Sequence, residues 1–211
     1  MSMKEEFPKI IPVFPLNGVI YFPKTNLPLN IFEERYLELV DDAYKKDKLM
    51  GMVQSKKDSN SVYQVGCLGK ISDYNKTKDG RLLINLTGLT RFEIKKEIIK
   101  TKKYREFQVD YDKFDEDKII DKKYILKKEN MDFLLKKSKL FFEKNGLLLN
   151  WKEFEKLDQN QQVNTISMIA PISNEEKQKL LETIALNDKS ITLLNIIEFY
   201  LHETNQKLRL Q

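Results

Sequence analysis

The apolar residues change their spacing once along the chain, and that change constrains the fold more than any other feature. Up to about residue 113 they fall in short, strand-like runs of β-branched and aromatic residues broken by Pro, Gly and Asn. After a stretch at 110–123 dominated by Asp, Glu and Lys, they recur at about 3.6 residues, the period of a helix. Strands first and helices afterwards predict an α+β chain in two lobes, a β-rich one over residues 1–117 and a helical one over 118–211. With 41% apolar residues among 211, the chain can bury one sizeable core or two small adjoining ones.

Within the first lobe, residues 10–14 predict a strand, Asn17-Gly18 a turn and residues 27–32 a second extended piece. Prolines at 12, 15, 23 and 28 lack the N–H that a central ladder needs, so edge strand and ordered loop are expected here. Residues 33–46 follow helical spacing, with Tyr36, Leu39, Val40, Ala43 and Tyr44 on one side. Further strands are predicted at 49–54, 66–74, 82–87, 91–98 and 105–111, with Asp79-Gly80 as a hairpin turn. A closed or nearly closed barrel-like sheet would remove so many short edges.

In the second lobe, Ile120, Tyr124, Met131, Leu135 and Phe142 form an apolar stripe on a lysine-rich helix that Gly146 stops. Helices are predicted at 151–170, ended by Pro171, at 174–184, and at 189–207 with Ile191, Leu194, Ile197 and Leu201 facing inward. Ser173 and Glu176 make a capping box that fixes the start of the 174–184 helix.

Chemistry is hard to place on these residues. The single Cys67 and single His202 exclude an internal disulfide and a Cys/His zinc site, and neither has a partner that would make it a catalytic group. Gly66-Cys67-Leu68-Gly69-Lys70 is too short for a P-loop and has Ile71 where a hydroxyl would hold magnesium; glycines relieving crowding in a strand explain it better. Carboxylates at Glu33-Glu34, Asp41-Asp42 and Asp115-Glu116-Asp117 sit in helix turns or the polar stretch, where solvation is the ordinary outcome. No catalytic residue, metal or cofactor is expected. No apolar run is long enough for a membrane span and the start lacks a secretory signal, so a soluble, cytoplasmic protein is expected, with no membrane partner.

One irregular segment is far more apolar than a solvent-facing loop should be: Ile11-Pro12-Val13-Phe14-Pro15-Leu16-Asn17-Gly18-Val19-Ile20-Tyr21-Phe22-Pro23. It must be covered by the protein or by a partner. Together with Leu27-Pro28-Leu29-Asn30-Ile31-Phe32-Glu33-Glu34-Arg35-Tyr36, Gly51-Met52-Val53 and Gly88-Leu89-Thr90-Arg91-Phe92, it resembles the Lon protease N-terminal domain family. Pro171-Ile172-Ser173 and the helix after it are similar to that family's helical continuation, so the resemblance spans nearly the whole chain. It implies a PUA-like β pseudobarrel with one inserted helix, followed by a helical bundle, in a stand-alone member without ATPase or protease modules.

The function it implies is non-catalytic recognition of unfolded or degron-bearing protein segments, with an adaptor role in proteolysis or quality control and a protease or chaperone as further partner. The contacting surface is expected at Leu16, Tyr21, Phe22, Pro23, Leu27 and Phe32, aromatic and apolar anchors on irregular backbone. The alternative is an RNA-binding module, drawn from the PUA-like resemblance, the net charge of +5, Lys95-Lys96, Lys100, Lys102-Lys103 and the lysine-rich helix. Against it, only five of the 37 basic residues are arginine, the better bidentate phosphate ligand.

Overall fold

Six strands and six helices account for most of the chain in the computed structural model, which describes residues 6–57, 60–99, 101–118 and 126–209. The strands are β1 (Ile10–Leu16), β2 (Asn26–Ile31), β3 (Leu49–Gln54), β4 (Val65–Lys76), β5 (Leu82–Ile98) and β6 (Arg105–Asp110), with helix α1 (Glu34–Lys45) between β2 and β3. Helices α2 (Lys128–Lys144), α3 (Trp151–Phe154), α4 (Gln159–Ile169), α5 (Asn174–Glu182) and α6 (Leu186–Arg209) follow. Contacts divide the chain into two units, Met1–Lys122 and Lys123–Gln211. The architecture is α+β, as the change of apolar period predicts.

The sheet of the first unit is a ring of pairings rather than a clear barrel. Its order is β2-β5-β4-β3-β1-β6, and β6 pairs again with β5. All neighbours are antiparallel except β1 and β3, which run parallel with Val13 beside Gly51 and Leu16 beside Gln54. The long β5 makes the ring possible. Its first half pairs with β2, from Leu82 opposite Ile31 to Thr87 opposite Asn26, and its last residues pair with β6. Two strands were predicted where this one 17-residue strand runs. The ladder carries a register shift between Leu68 and Gly69, so the chain bends without ending.

One side of the sheet encloses a cluster of Ile11, Val13, Leu49, Val53, Val62, Leu68, Phe92, Ile94, Phe107, Val109 and Tyr111. Helix α1 packs over β1 and β3, burying Tyr36, Leu39, Val40 and Ala43 at helical spacing. Each large apolar side chain buried this way contributes roughly 1.5–3 kcal/mol. The glycines of β4 do relieve crowding: a Cβ on Gly66 would lie 2.4 Å from the Met52 carbonyl, and one on Gly69 2.5 Å from Leu86.

The described part of the acidic stretch after β6, up to Lys118, is folded onto the sheet. Residues Asp112–Lys118 form a 3-10 turn that packs on β5, with Phe114 buried. Asp117 receives Nε and Nη2 of Arg91 at 2.7 and 2.9 Å, and the Arg91 amide at 3.1 Å. Both side chains are almost fully buried, and the guanidinium lies 4.4 Å from the centre of the Phe114 ring. Charge density alone marked this stretch as solvated; the partner that buries Asp117 is 26 residues upstream.

In the second unit α2 buries Met131, Leu134, Phe141 and Phe142. Its predicted stripe holds at Met131 and Phe142, while Leu135 is only partly covered, and Ile120 and Tyr124 lie outside the described residues. The helix predicted over 151–170 is broken in two. Asp158 accepts from the Gln161 amide and Gln161 caps Asp158 in return, a capping box that starts α4 and leaves α3 a single turn. The second box, at Ser173 and Glu176, starts α5 as predicted. On α6, Leu193, Ile197 and Leu201 are buried, whereas Ile191, expected inward, is 46% exposed.

Candidate functional site

The six residues expected to contact a polypeptide are separated by the fold. Tyr21 and Phe22 are 2% and 0% exposed, and Pro23 is buried as well. These three belong to the core, so in this conformation they present no surface. The cause is local. Gly88, lacking a side chain, lets the Phe22 carbonyl come close to β5, while Lys24 donates to the Gly88 carbonyl and Gly88 to the Thr25 carbonyl, both at 2.9 Å. Thr25 Oγ1 closes the turn on the Phe22 carbonyl at 2.7 Å. Burial also pushes the Tyr21 phenol well above its ordinary range. Leu27 is half-buried on β2, and Phe32 is 66% exposed two residues ahead of α1.

Leu16 is different, because it lines a groove of about 690 Å3 on the first unit. Strand β1 delivers Phe14, Pro15 and Leu16 to it and ends at the Asn17-Gly18 turn, where Gly18 has a φ of 84°. Ser55, just past β3, donates its amide to the Leu16 carbonyl at 3.2 Å and adds its side to the groove. The first turn of α1 contributes Glu33, Arg35 and Tyr36. The β5–β6 hairpin contributes Glu97, Lys103, Tyr104 and Arg105.

The floor is aromatic. Phe14 and Tyr36 meet with ring centres 4.2 Å apart at 54°, and both are largely buried, as is Tyr104. Arg35 lies over the Tyr36 ring at 4.6 Å. The three aromatic residues are 6–7% exposed and polar groups form the larger part of the accessible lining, so an extended segment would meet a small aromatic floor within a mainly polar groove.

The charges at the rim are already engaged with one another. Arg35 donates from Nε and Nη2 to Glu33 Oε2 at 3.0 and 2.8 Å. Arg105 donates to both oxygens of Glu97 at 2.7 Å and to the Asn60 carbonyl at 3.0 Å, and holds the Glu97 carboxyl below its ordinary range. Lys103 donates to Glu34 at 2.5 Å and lowers that carboxyl too. Tyr104 Oη donates to Asp42 on α1 at 2.8 Å, and Lys102 reaches Asp42 at 3.1 Å and Tyr104 Oη at 2.5 Å. The Tyr104 hydrogen bond lowers the Asp42 carboxyl, while burial is the main reason that the Tyr104 phenol is pushed up to about 12. These geometries give the groove binding capacity and no nucleophile–base pair. Among the described residues no three His, Cys, Asp or Glu side chains converge as a metal site would require.

Sequence reasoning found Leu16 and missed Tyr36, Tyr104, Glu97 and Arg105 as groove residues. A weak signal for Tyr104 and Arg105 was present, in that an aromatic and an arginine sit together at the start of a predicted strand. Nothing local shows that α1 faces them. Lys102 and Lys103, grouped with a nucleic-acid patch from sequence, are held by carboxylates of α1.

Comparison with known proteins gives a consistent result. A family model described as the ATP-dependent protease La (LON) substrate-binding domain matches residues 10–198. Similar relatives include a Lon protease of Syntrophus aciditrophicus, 25% identical over 224 aligned residues, covering 98% of this chain and 27% of the relative. Lon protease 1 of Hydrogenovibrio crunogenus is 28% identical over 204, covering 92% of this chain and 24% of the relative. The chain thus spans about a quarter of the length of these relatives. Among solved structures, the Lon N-terminal domain protein from Xanthomonas campestris matches with a TM-score of 0.67 at 19% identity, over 88% of this chain and 97% of that one. The N-terminal domain of the Mycobacterium avium complex Lon protease matches with a TM-score of 0.65 at 16% identity, over 90% and 98%. These two share the fold.

Proposed function

Because the chain belongs to the ATP-dependent protease La (LON) substrate-binding domain family, we propose that it is a non-catalytic module that recognises polypeptide segments, and that the groove floored by Phe14, Tyr36 and Tyr104 is where they bind. The observation that carries this reading is the groove itself: an open, aromatic-floored channel whose cations are paired internally. Unfolded or degron-bearing segments are the client class such a surface serves, since bulky side chains can fill the floor while the backbone stays extended. Leu16 and, outside the groove, Phe32 remain the proposed apolar anchors from the opening segment, with Leu27 contributing from β2. Delivery of clients to a protease or chaperone in the cytoplasm is the physiological role that follows from this reading.

The RNA alternative draws no support from the same geometry. Phosphate recognition by arginine uses the bidentate fork, and the forks of Arg35 and Arg105 are occupied by Glu33 and Glu97.

The test is a fluorescence-anisotropy titration of the full chain against labelled, reduced and carboxymethylated α-lactalbumin, a permanently unfolded polypeptide, with RNA as competitor. Saturable binding that RNA does not displace is expected. Raising salt from about 50 to about 200 mM would cost a multi-contact phosphate binder roughly a thousandfold. Here it is expected to change Kd by less than about threefold, because the groove's charged side chains are paired with one another. Absence of binding, or binding abolished by salt and RNA, would overturn the reading.

A further inference from the structure

We propose that Asp42, which does not line the groove, is a positioning residue for polypeptide binding: through Tyr104 it fixes the aromatic surface that the β5–β6 hairpin presents to the client. The inference rests on the reading of the groove as the binding site.

The segment that enters β6 meets α1 at two points, and their chemistry differs. At the first, Lys103 pairs with Glu34; both side chains are more than half exposed, and such a pair is screened by solvent and holds little. At the second, the Tyr104 phenol, on a residue 6% exposed, donates to the ionised Asp42 carboxylate at 2.8 Å. A charge-assisted bond is about twice as strong as a neutral one, and once the acceptor is removed the phenol proton must find another partner. Lys102 completes the arrangement, its Nζ 3.1 Å from Asp42, 3.7 Å from Glu106 and 4.8 Å from the Tyr104 ring centre.

The consequence is geometric. Tyr104 lines the groove, and its ring can be anchored at the backbone and at the hydroxyl. With Asp42 in place both anchors hold. Without it, the phenol must turn toward solvent to be satisfied, carrying the ring away from its place in the lining that it shares with Phe14 and Tyr36. A client that packs on this surface then meets a mobile wall and loses affinity by having to order it.

The experiment compares the full-length wild type with Asp42→Ala, Asp42→Asn, Tyr104→Phe and the Asp42→Ala/Tyr104→Phe double variant. Each is titrated against labelled, reduced and carboxymethylated α-lactalbumin, with thermal melts confirming the fold. Asp42→Ala and Tyr104→Phe are each expected to weaken binding by roughly five- to tenfold, the range that one such hydrogen bond supports. The double variant should be no weaker than either single, because both cut the same bond. Asp42→Asn, whose amide oxygen still accepts from Tyr104, should bind within about twofold of wild type. A purely structural role would lower the melting temperature and leave affinity and the rescue pattern unchanged. If Asp42→Ala does not fold, Tyr104→Phe and Asp42→Asn carry the comparison. Wild-type affinity in Tyr104→Phe, or losses in the double variant that multiply, would overturn the inference alone. Failure of the wild type to bind would overturn the groove reading and this inference with it.

Discussion

Replacing Asp117 by alanine is expected to remove about 3–5 kcal/mol of stability, the usual cost of truncating one member of a buried ion pair. The acceptor of two guanidinium bonds and of the Arg91 amide disappears at once, and Arg91 is 3% exposed. At roughly 2–4 °C per kcal/mol for a chain of this size, the melting temperature should fall by about 6–20 °C. Asp117→Asn keeps the shape and one acceptor and should fall between. Asp115, whose side chain is 36% exposed and pairs with Lys118 in the same turn, is the control, and its alanine variant should lose less than about 1 kcal/mol. Urea unfolding of the three variants measures this order. A loss at Asp117 no larger than at Asp115 would mean that the turn does not depend on the Arg91 pair.

Gly88→Ala is expected to be comparably damaging, by a different route. A Cβ there would lie 2.3 Å from the Phe22 carbonyl oxygen and 3.1 Å from Pro23 Cα, both rigid backbone. The segment at 22–25 must then lift from β5, breaking its two bonds with Gly88 and uncovering Phe22. Overpacking alone costs about 1–3 kcal/mol, and exposure of a phenylalanine brings the total to or above the top of that range. Gly80 offers the contrast: its φ is 87° but nothing lies within 4 Å, so alanine there meets only backbone strain of about 1–2 kcal/mol. Hydrogen exchange should show the Lys24 and Gly88 amides opening in Gly88→Ala and not in Gly80→Ala. Slow exchange at both amides in Gly88→Ala would contradict the account.

Gly88 and Arg91 belong to one short stretch that carried the family resemblance, and both turn out to close the fold rather than to touch a client. That division explains what could be read from sequence. The α+β order, the inserted helix and the Ser173 capping box follow from local periodicity and capping chemistry, which a sequence displays directly. The Asp158 box is equally local, but the apolar pattern runs on through it and conceals the break. The placement of the opening segment was not legible. Apolarity says that Leu16, Tyr21, Phe22 and Pro23 must be covered, but which of them face the core depends on a glycine more than 60 residues away. Arg35 and Glu33 pair locally, but Arg105 and Lys103 pair across the β5–β6 hairpin or with α1, at separations of 8 and 69 residues that no periodicity reveals. Long-range pairing also hid the buried role of Asp117 inside a run of charges.

The central claim, that clients lie in the groove of the first unit, is tested most directly by mapping amide chemical-shift changes on the full chain as carboxymethylated α-lactalbumin is added. The account predicts changes concentrated at residues 14–17, 33–36, 103–105 and at Ser55, Asn60 and Glu97. Changes confined instead to the second unit, for example around the exposed Leu148 and its neighbours Leu147 and Trp151, or no changes at saturating polypeptide, would contradict it.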